Sequence, residues 1–160
     1  MRERTPQELE QLERRLAQLD IFLGEREPAL RGLAERLGLE DPELVLTEPW
    51  RCLEAADALI AQEREATDRE DPMWVLTRLG YLVGDSLAKR LGGDWFVNEV
   101  PQSRTFARYV VGRFAECGSA TAVIDPFEVA HAVLGSPKGE GLAATVGKIE
   151  SDLRAIPRPG

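Results

Sequence analysis

The stretch LGYLVGDSLAKRLGGDWFVNEVPQSRTFARYVVGRF, residues 79–114, decides the fold class. With Leu76 just upstream, Leu79, Val83 and Leu87 recur at three- and four-residue spacing, the stripe of an amphipathic helix. Gly92-Gly93 stops it, because glycine reaches the left-handed backbone that reverses a chain without steric cost. Aromatic and β-branched residues then take over. Residues 95–100 read as a strand, Pro101-Gln102-Ser103 as a turn and residues 105–114 as a second, longer strand. On that strand Thr105, Ala107, Tyr109 and Val111 share one face, while Phe106, Arg108, Val110, Gly112 and Phe114 take the other. Cys117-Gly118-Ser119 is a further turn, and residues 120–124 form a third strand. Both links are short, which favours an antiparallel meander.

Helices are expected on either side. Thr5-Pro6-Gln7-Glu8 is a capping box with proline at the first helical position. Leu9, Leu12, Leu16, Leu19 and Leu23 follow as a narrow coiled-coil-like stripe flanked by Glu10, Glu13, Arg14 and Arg15. Gly24 is the expected stop, so residues 1–24 form a helix that packs on its own domain, projects from it, or self-associates. A second helix is expected over 28–37 with Leu30, Leu33 and Leu37 on one face and Gly38 as its end. Residues 40–49 turn at Pro42 and Pro49 around a short extended piece. Thr47 then caps a third helix carrying Trp50, Leu53, Ala56 and Ile60 inward, and the polar run 62–71 follows it into water or a loop. Asp71-Pro72 restarts the chain as a helix over 73–91. After the sheet, Asp125-Pro126-Phe127-Glu128 repeats the capping box and opens a helix through Leu134, stopped by Gly135. Residues 136–141 form a flexible connector. A last helix faces Leu142, Val146, Ile149 and Leu153 inward. The expected architecture is one α+β domain over 1–160: a helical N-terminal half on a three-stranded antiparallel meander, then two C-terminal helices.

Composition bounds function. The chain is 43% apolar and 30% charged, as ordinary globular proteins are, and carries a net charge of -8. Residues 1–80 hold 11 Lys and Arg against 19 Asp and Glu, and residues 81–160 hold 9 against 9. An acidic front half argues against nucleic acid and anionic lipid and suits a basic or polar protein partner, or simply a solvated surface. The first residues show no secretory h-region, no run has membrane-span length, and Cys52 and Cys117 follow no disulfide or metal pattern. A cytoplasmic protein with reduced thiols is the expectation.

Chemistry-bearing motifs are few. Gly84-Asp85-Ser86-Leu87 spells the nucleophile motif of the GDSL esterases, in which the serine sits on a turn after an early strand. Here it falls inside a helix, and the lone His131 follows Asp125 by six positions. Glu128-x-x-His131 has the spacing of two metal ligands on one helix face, but further histidines are missing and Glu128 already serves the capping box. Cys117 could be a loop nucleophile activated by His131, although Cys117-Gly118-Ser119 equally makes a turn. The glycines around Lys138 lack the order of a phosphate-binding loop. Arg104 and Arg108, interleaved with Trp95 and Tyr109, form the one candidate binding surface, while Trp50, Trp74 and Trp95 also fit core anchors at element starts. No catalytic, cofactor or metal residues are assigned.

Leu79, Gly80, Gly84, Gly92, Gly93 and Trp95 together resemble a pattern in small uncharacterised bacterial α+β domains, where Leu-Gly-x-x-x-Gly lies on a helix and Gly-Gly-x-Trp leads into a sheet. Some of these are immunity or adaptor proteins of toxin systems. The resemblance covers the central third of the chain and implies a scaffold without catalytic residues. Gly80 and Gly84 would let another element approach closely along one side of the helix. The expected role is therefore protein binding of immunity, inhibitor or accessory type, without cofactor, with homodimerisation through the first leucine stripe as a secondary possibility. The rival expectations are a small hydrolase using Cys117 or Ser86 with His131, and a weak nucleic-acid or small-ligand binder using the second strand.

Overall fold

A computed structural model of the chain describes residues 3–119 and 121–157. It opens with α1 (Pro6–Leu37), capped as expected: the Thr5 hydroxyl accepts from the Glu8 amide, and the Glu8 carboxylate accepts from the Thr5 amide. The helix does not stop at Gly24. A single helix of 32 residues replaces the expected pair, with Pro28 inside it. The reason is tertiary. Phe22 and Leu23 before the proline, and Ala29, Leu30 and Leu33 after it, all join the main core. Packing on both sides of the proline holds one axis against local propensity. The helix ends at Gly38, whose φ of 66° is the left-handed cap.

Residues 40–49 contain no extended piece. The Asp41 carboxylate accepts from the Glu43 amide, and the chain enters a helical turn, α2 (Leu44–Thr47). A 3₁₀ turn over Pro49–Cys52 leads into α3 (Leu53–Glu65). Thr47 caps nothing: its hydroxyl donates back to the Glu43 carbonyl.

α4 (Pro72–Leu91) starts where Asp71 accepts from the Met73 amide and ends at Gly92, φ 67°. Its central residues differ from the expected amphipathic stripe, because every residue from Leu79 to Leu87 is buried. A helix covered on all sides is the axis of the core. α1, the 3₁₀ turn, α5 (Pro126–Leu134), α6 (Leu142–Arg154) and the sheet all pack against it. Gly80 and Gly84 make this possible. A Cβ on Gly80 would lie 2.1 Å from Cδ1 of Phe127, and one on Gly84 would lie 2.0 Å from Cζ2 of Trp95. The close approach expected at these glycines is made by two aromatic rings lying against the helix backbone.

The sheet is the expected antiparallel meander, with β2 in the centre of the order β1-β2-β3. Its strands are shorter than expected: β1 (Asp94–Val97), β2 (Tyr109–Gly112) and β3 (Val123–Ile124), with Ala120 outside the described residues. Trp95 pairs with Val111, and Val111 with Ile124. Asn98 explains the shortening. Its buried amide donates to the hydroxyls of Ser103 (2.9 Å) and Thr105 (2.8 Å), drawing residues 98–108 into a closed loop. Ala107 (φ 60°) and Arg113 (φ 56°), both in the left-handed region, break the extended run at the two ends of β2.

Asp125 then caps α5 (Pro126–Leu134) by accepting from the amides of Phe127 and Glu128. α6 (Leu142–Arg154) has no capping side chain of its own at Gly141. Its cap comes from α3: the Asp57 carboxylate accepts from the amides of Leu142 (2.6 Å) and Ala143 (3.0 Å). Replacing a helix cap costs typically ~1 kcal/mol, up to ~2. Asp57→Ala should lose that amount in urea denaturation, and Asp57→Asn, which keeps one acceptor, should lose less. Equal stability of Asp57→Ala and the parent chain would rule the long-range cap out. Among the described residues, no helix is long and apolar enough to cross a membrane.

Candidate functional site

Five rings from five elements meet beside α4: Phe22 of α1, Tyr81 of α4, Trp95 of β1, Tyr109 of β2 and Phe127 of α5. Phe22 stacks on Tyr109 at a centroid distance of 4.0 Å and meets Trp95 edge-on at 5.3 Å. Tyr81 meets Phe127 at 5.6 Å. Polar atoms of this cluster are satisfied locally. The Tyr81 hydroxyl donates to the Phe22 carbonyl (2.8 Å), and the Tyr109 hydroxyl donates to the Arg15 carbonyl (2.9 Å). Trp95 Nε1 donates to Asp85 Oδ1 at 2.9 Å, and the Arg26 guanidinium lies 3.4 Å from the same oxygen. Asp85 is 4% exposed, a carboxylate built into the centre of the core helix.

Burial dominates the Tyr81 phenol and pushes it up to about 12, with the negative charge of Glu25 adding to the effect. A raised folded pKa means that the folded state holds the proton more tightly. This contribution is fully present below pH ~10, the ordinary tyrosine value, and is lost as pH rises toward 12. The shift corresponds to roughly 2–3 kcal/mol. Stability should therefore fall between pH 10 and 12, and Tyr81→Phe should flatten that fall. Denaturant midpoints across the interval test this, and identical slopes in the two proteins would contradict it.

The arginines of the candidate binding surface lie in the 98–108 loop, outside the shortened β2. Arg104 and Arg108 both engage Glu128, and Arg108 also reaches Asp125 at 3.1 Å. Arg104 above all, with Arg108, holds the Glu128 carboxyl below its usual range. Glu128 therefore faces the arginines, and the reciprocal half of the second capping box is absent. Trp95 and Tyr109 are brought together through the Phe22 ring, with Trp95 buried and Tyr109 half-buried. Arg104 and Arg108 are exposed and paired to carboxylates.

No protein-family model, curated protein or solved structure matches this chain.

The residues of the hydrolase alternative differ in exposure. His131 is exposed on α5, and its side chain makes no hydrogen bond among the described residues. Cys52 and Cys117 are both unpaired and buried, and burial pushes the Cys52 thiol up. Ser86 is wholly buried in α4, its hydroxyl without a partner among the described residues. Among the described residues, no group of three or more His, Cys, Asp or Glu side chains is placed to hold a metal ion.

The first leucine stripe divides. Leu12 is buried and Leu19 and Leu23 are half-buried, whereas Leu9 and Leu16 are 42% and 43% exposed. Ile21, outside the stripe, is the most open of the large apolar side chains among the described residues, at 63%. Sequence reasoning missed Phe22, Arg26 and Tyr81 as partners in one site, and read Asp85 only as a letter of the esterase motif. Its signal was the single charged residue between Leu79 and Leu87, a run otherwise uncharged and mostly apolar.

Proposed function

We propose that the protein acts by binding another protein, as an inhibitor, immunity or accessory subunit does, and presents the outer side of α1 to it. The exposure of Leu9, Leu16 and Ile21 carries this reading. Leu12 is the one fully buried side chain between Pro6 and Pro28, and the other buried residues of α1 lie from Ala29 to Ala34. The open stretch is nevertheless held in place. The capping box orders its start, Arg4 donates to the Glu99 carbonyl at 2.8 Å, and Tyr109 donates to the Arg15 carbonyl. A rigid helix with spaced apolar anchors suits helix-in-groove recognition. The acidic residues of the front half favour a basic rim on the partner, in the cytoplasm, and no cofactor is needed. Homodimerisation through the same stripe is the second reading, resting on the two open leucines.

A photo-crosslinking residue at position 16 or 21, introduced into the full chain in its native cells, tests the proposal. A discrete protein adduct is expected from these positions and not from exposed position 62 on α3. No adduct, or the same adducts from position 62, would refute it. Sedimentation equilibrium separates the second reading: a dimer abolished by Leu9→Glu with Leu16→Glu supports it, and a monomer at all concentrations ends it.

A further inference from the structure

We propose that the cleft beside Asp85 is a binding site for a free α-amino acid. This goes beyond the protein-binding reading and does not depend on it. The cleft, of about 300 Å³, is walled by α1, α4 and the start of β1, with Leu23, Arg26, Asp85, Ala88, Lys89 and Asp94 around it and the Trp95 ring at one side. That volume is at the small end of the range for ligand sites.

Asp85 is the element that makes this a built site. Its side chain is oriented by Trp95 Nε1 and Arg26, and both contacts fall on Oδ1. Oδ2 accepts no hydrogen bond among the described residues. It is also not sealed in: among the described residues, the buried side-chain atoms without a partner are Arg4 Nε, Arg78 Nε and Ser86 Oγ. The solvent space that Asp85 lines is this cleft. A fixed carboxylate oxygen with free lone pairs calls for a donor, and an ammonium group is the strongest.

The remaining charges select what the ammonium is attached to. Lys89 lies one helical turn after Asp85 on α4, and Asp94 opens β1; neither takes part in an ion pair among the described residues. Arg26 reaches Asp85 with one nitrogen of its guanidinium and keeps further donors. Two cations and two anions therefore surround the space. A zwitterion satisfies both signs, with its ammonium at Asp85 and Asp94 and its carboxylate at Lys89 and Arg26. A plain amine or a plain carboxylate would meet one pair of like charges without matching the other, which is the physical basis of discrimination. Leu23 and Ala88 offer apolar wall to the ligand side chain.

The test follows the Trp95 indole N–H resonance in the full-length protein, assigned by elimination with Trp50→Phe and Trp74→Phe, while common α-amino acids are added to millimolar concentration. At least one should give a saturable shift. Its methyl ester and its N-acetyl derivative should each bind at least about tenfold more weakly, because each removes the charge of one end of the ligand. Lys89→Ala and Asp94→Asn, both at exposed positions, should weaken binding by a similar factor with Tm unchanged. The proposal is overturned if no amino acid shifts the resonance, if either capped derivative binds as tightly as the parent, or if both variants bind like the unaltered protein.

Discussion

Gly84→Ala should destabilise the protein by about 3 kcal/mol, the upper part of the range for overpacking a filled core. Helix propensity alone gives the opposite sign, since alanine is favoured over glycine in a helix interior by ~1 kcal/mol. Packing wins because the new methyl would lie 2.0 Å from Cζ2 and 2.3 Å from Cη2 of Trp95. Neither side can yield easily: the ring is tied to Asp85 and packed by Phe22, and the glycine sits in the most enclosed part of α4. Gly24→Ala is the matched control. Gly24 is also inside a helix, but nothing lies within 4 Å of its would-be Cβ. That substitution should stabilise by roughly 0.5–1 kcal/mol. Opposite signs in urea denaturation confirm the ring-on-backbone contact, and equal signs dismiss it.

Asp85→Ala should cost about 2–3 kcal/mol. Breaking a fully buried ion pair typically costs ~3–5 kcal/mol, but the Arg26 side chain is 39% exposed, so water recovers part of its loss. What remains is chiefly the Trp95 N–H, left in the core without an acceptor. Asp85→Asn keeps an acceptor and should lose roughly half as much. Arg26→Ala should cost ~1 kcal/mol or less, because Trp95 still satisfies Asp85. Near-ultraviolet circular dichroism reports the Trp95 environment alongside the denaturation midpoint. A larger loss for Arg26→Ala than for Asp85→Ala would mean that the charge pair, and not the indole bond, holds this corner together.

These two residues also mark how far the chain could be read before folding. Gly80 and Gly84 were legible as a site of close approach, because helical spacing puts them on one side of α4. That aromatic rings make the approach was not legible, since Trp95 lies in β1 and Phe127 in α5, separate elements later in the chain. Asp85 was hidden inside a familiar four-letter motif. Its carboxylate acquires meaning only from an indole ten residues later and a guanidinium 59 residues earlier.

Local chemistry alone settled the caps at Thr5, Asp71 and Asp125 and the glycine stops at Gly38 and Gly92, because each depends on neighbours within a few residues. Long-range packing decided the rest. It carried α1 through Gly24 and Pro28 by burying side chains on both sides of the proline. It supplied the start of α6 with a carboxylate from α3. Contacts between residues far apart in the chain outweigh backbone preferences of about 1 kcal/mol per residue, and no local pattern records them.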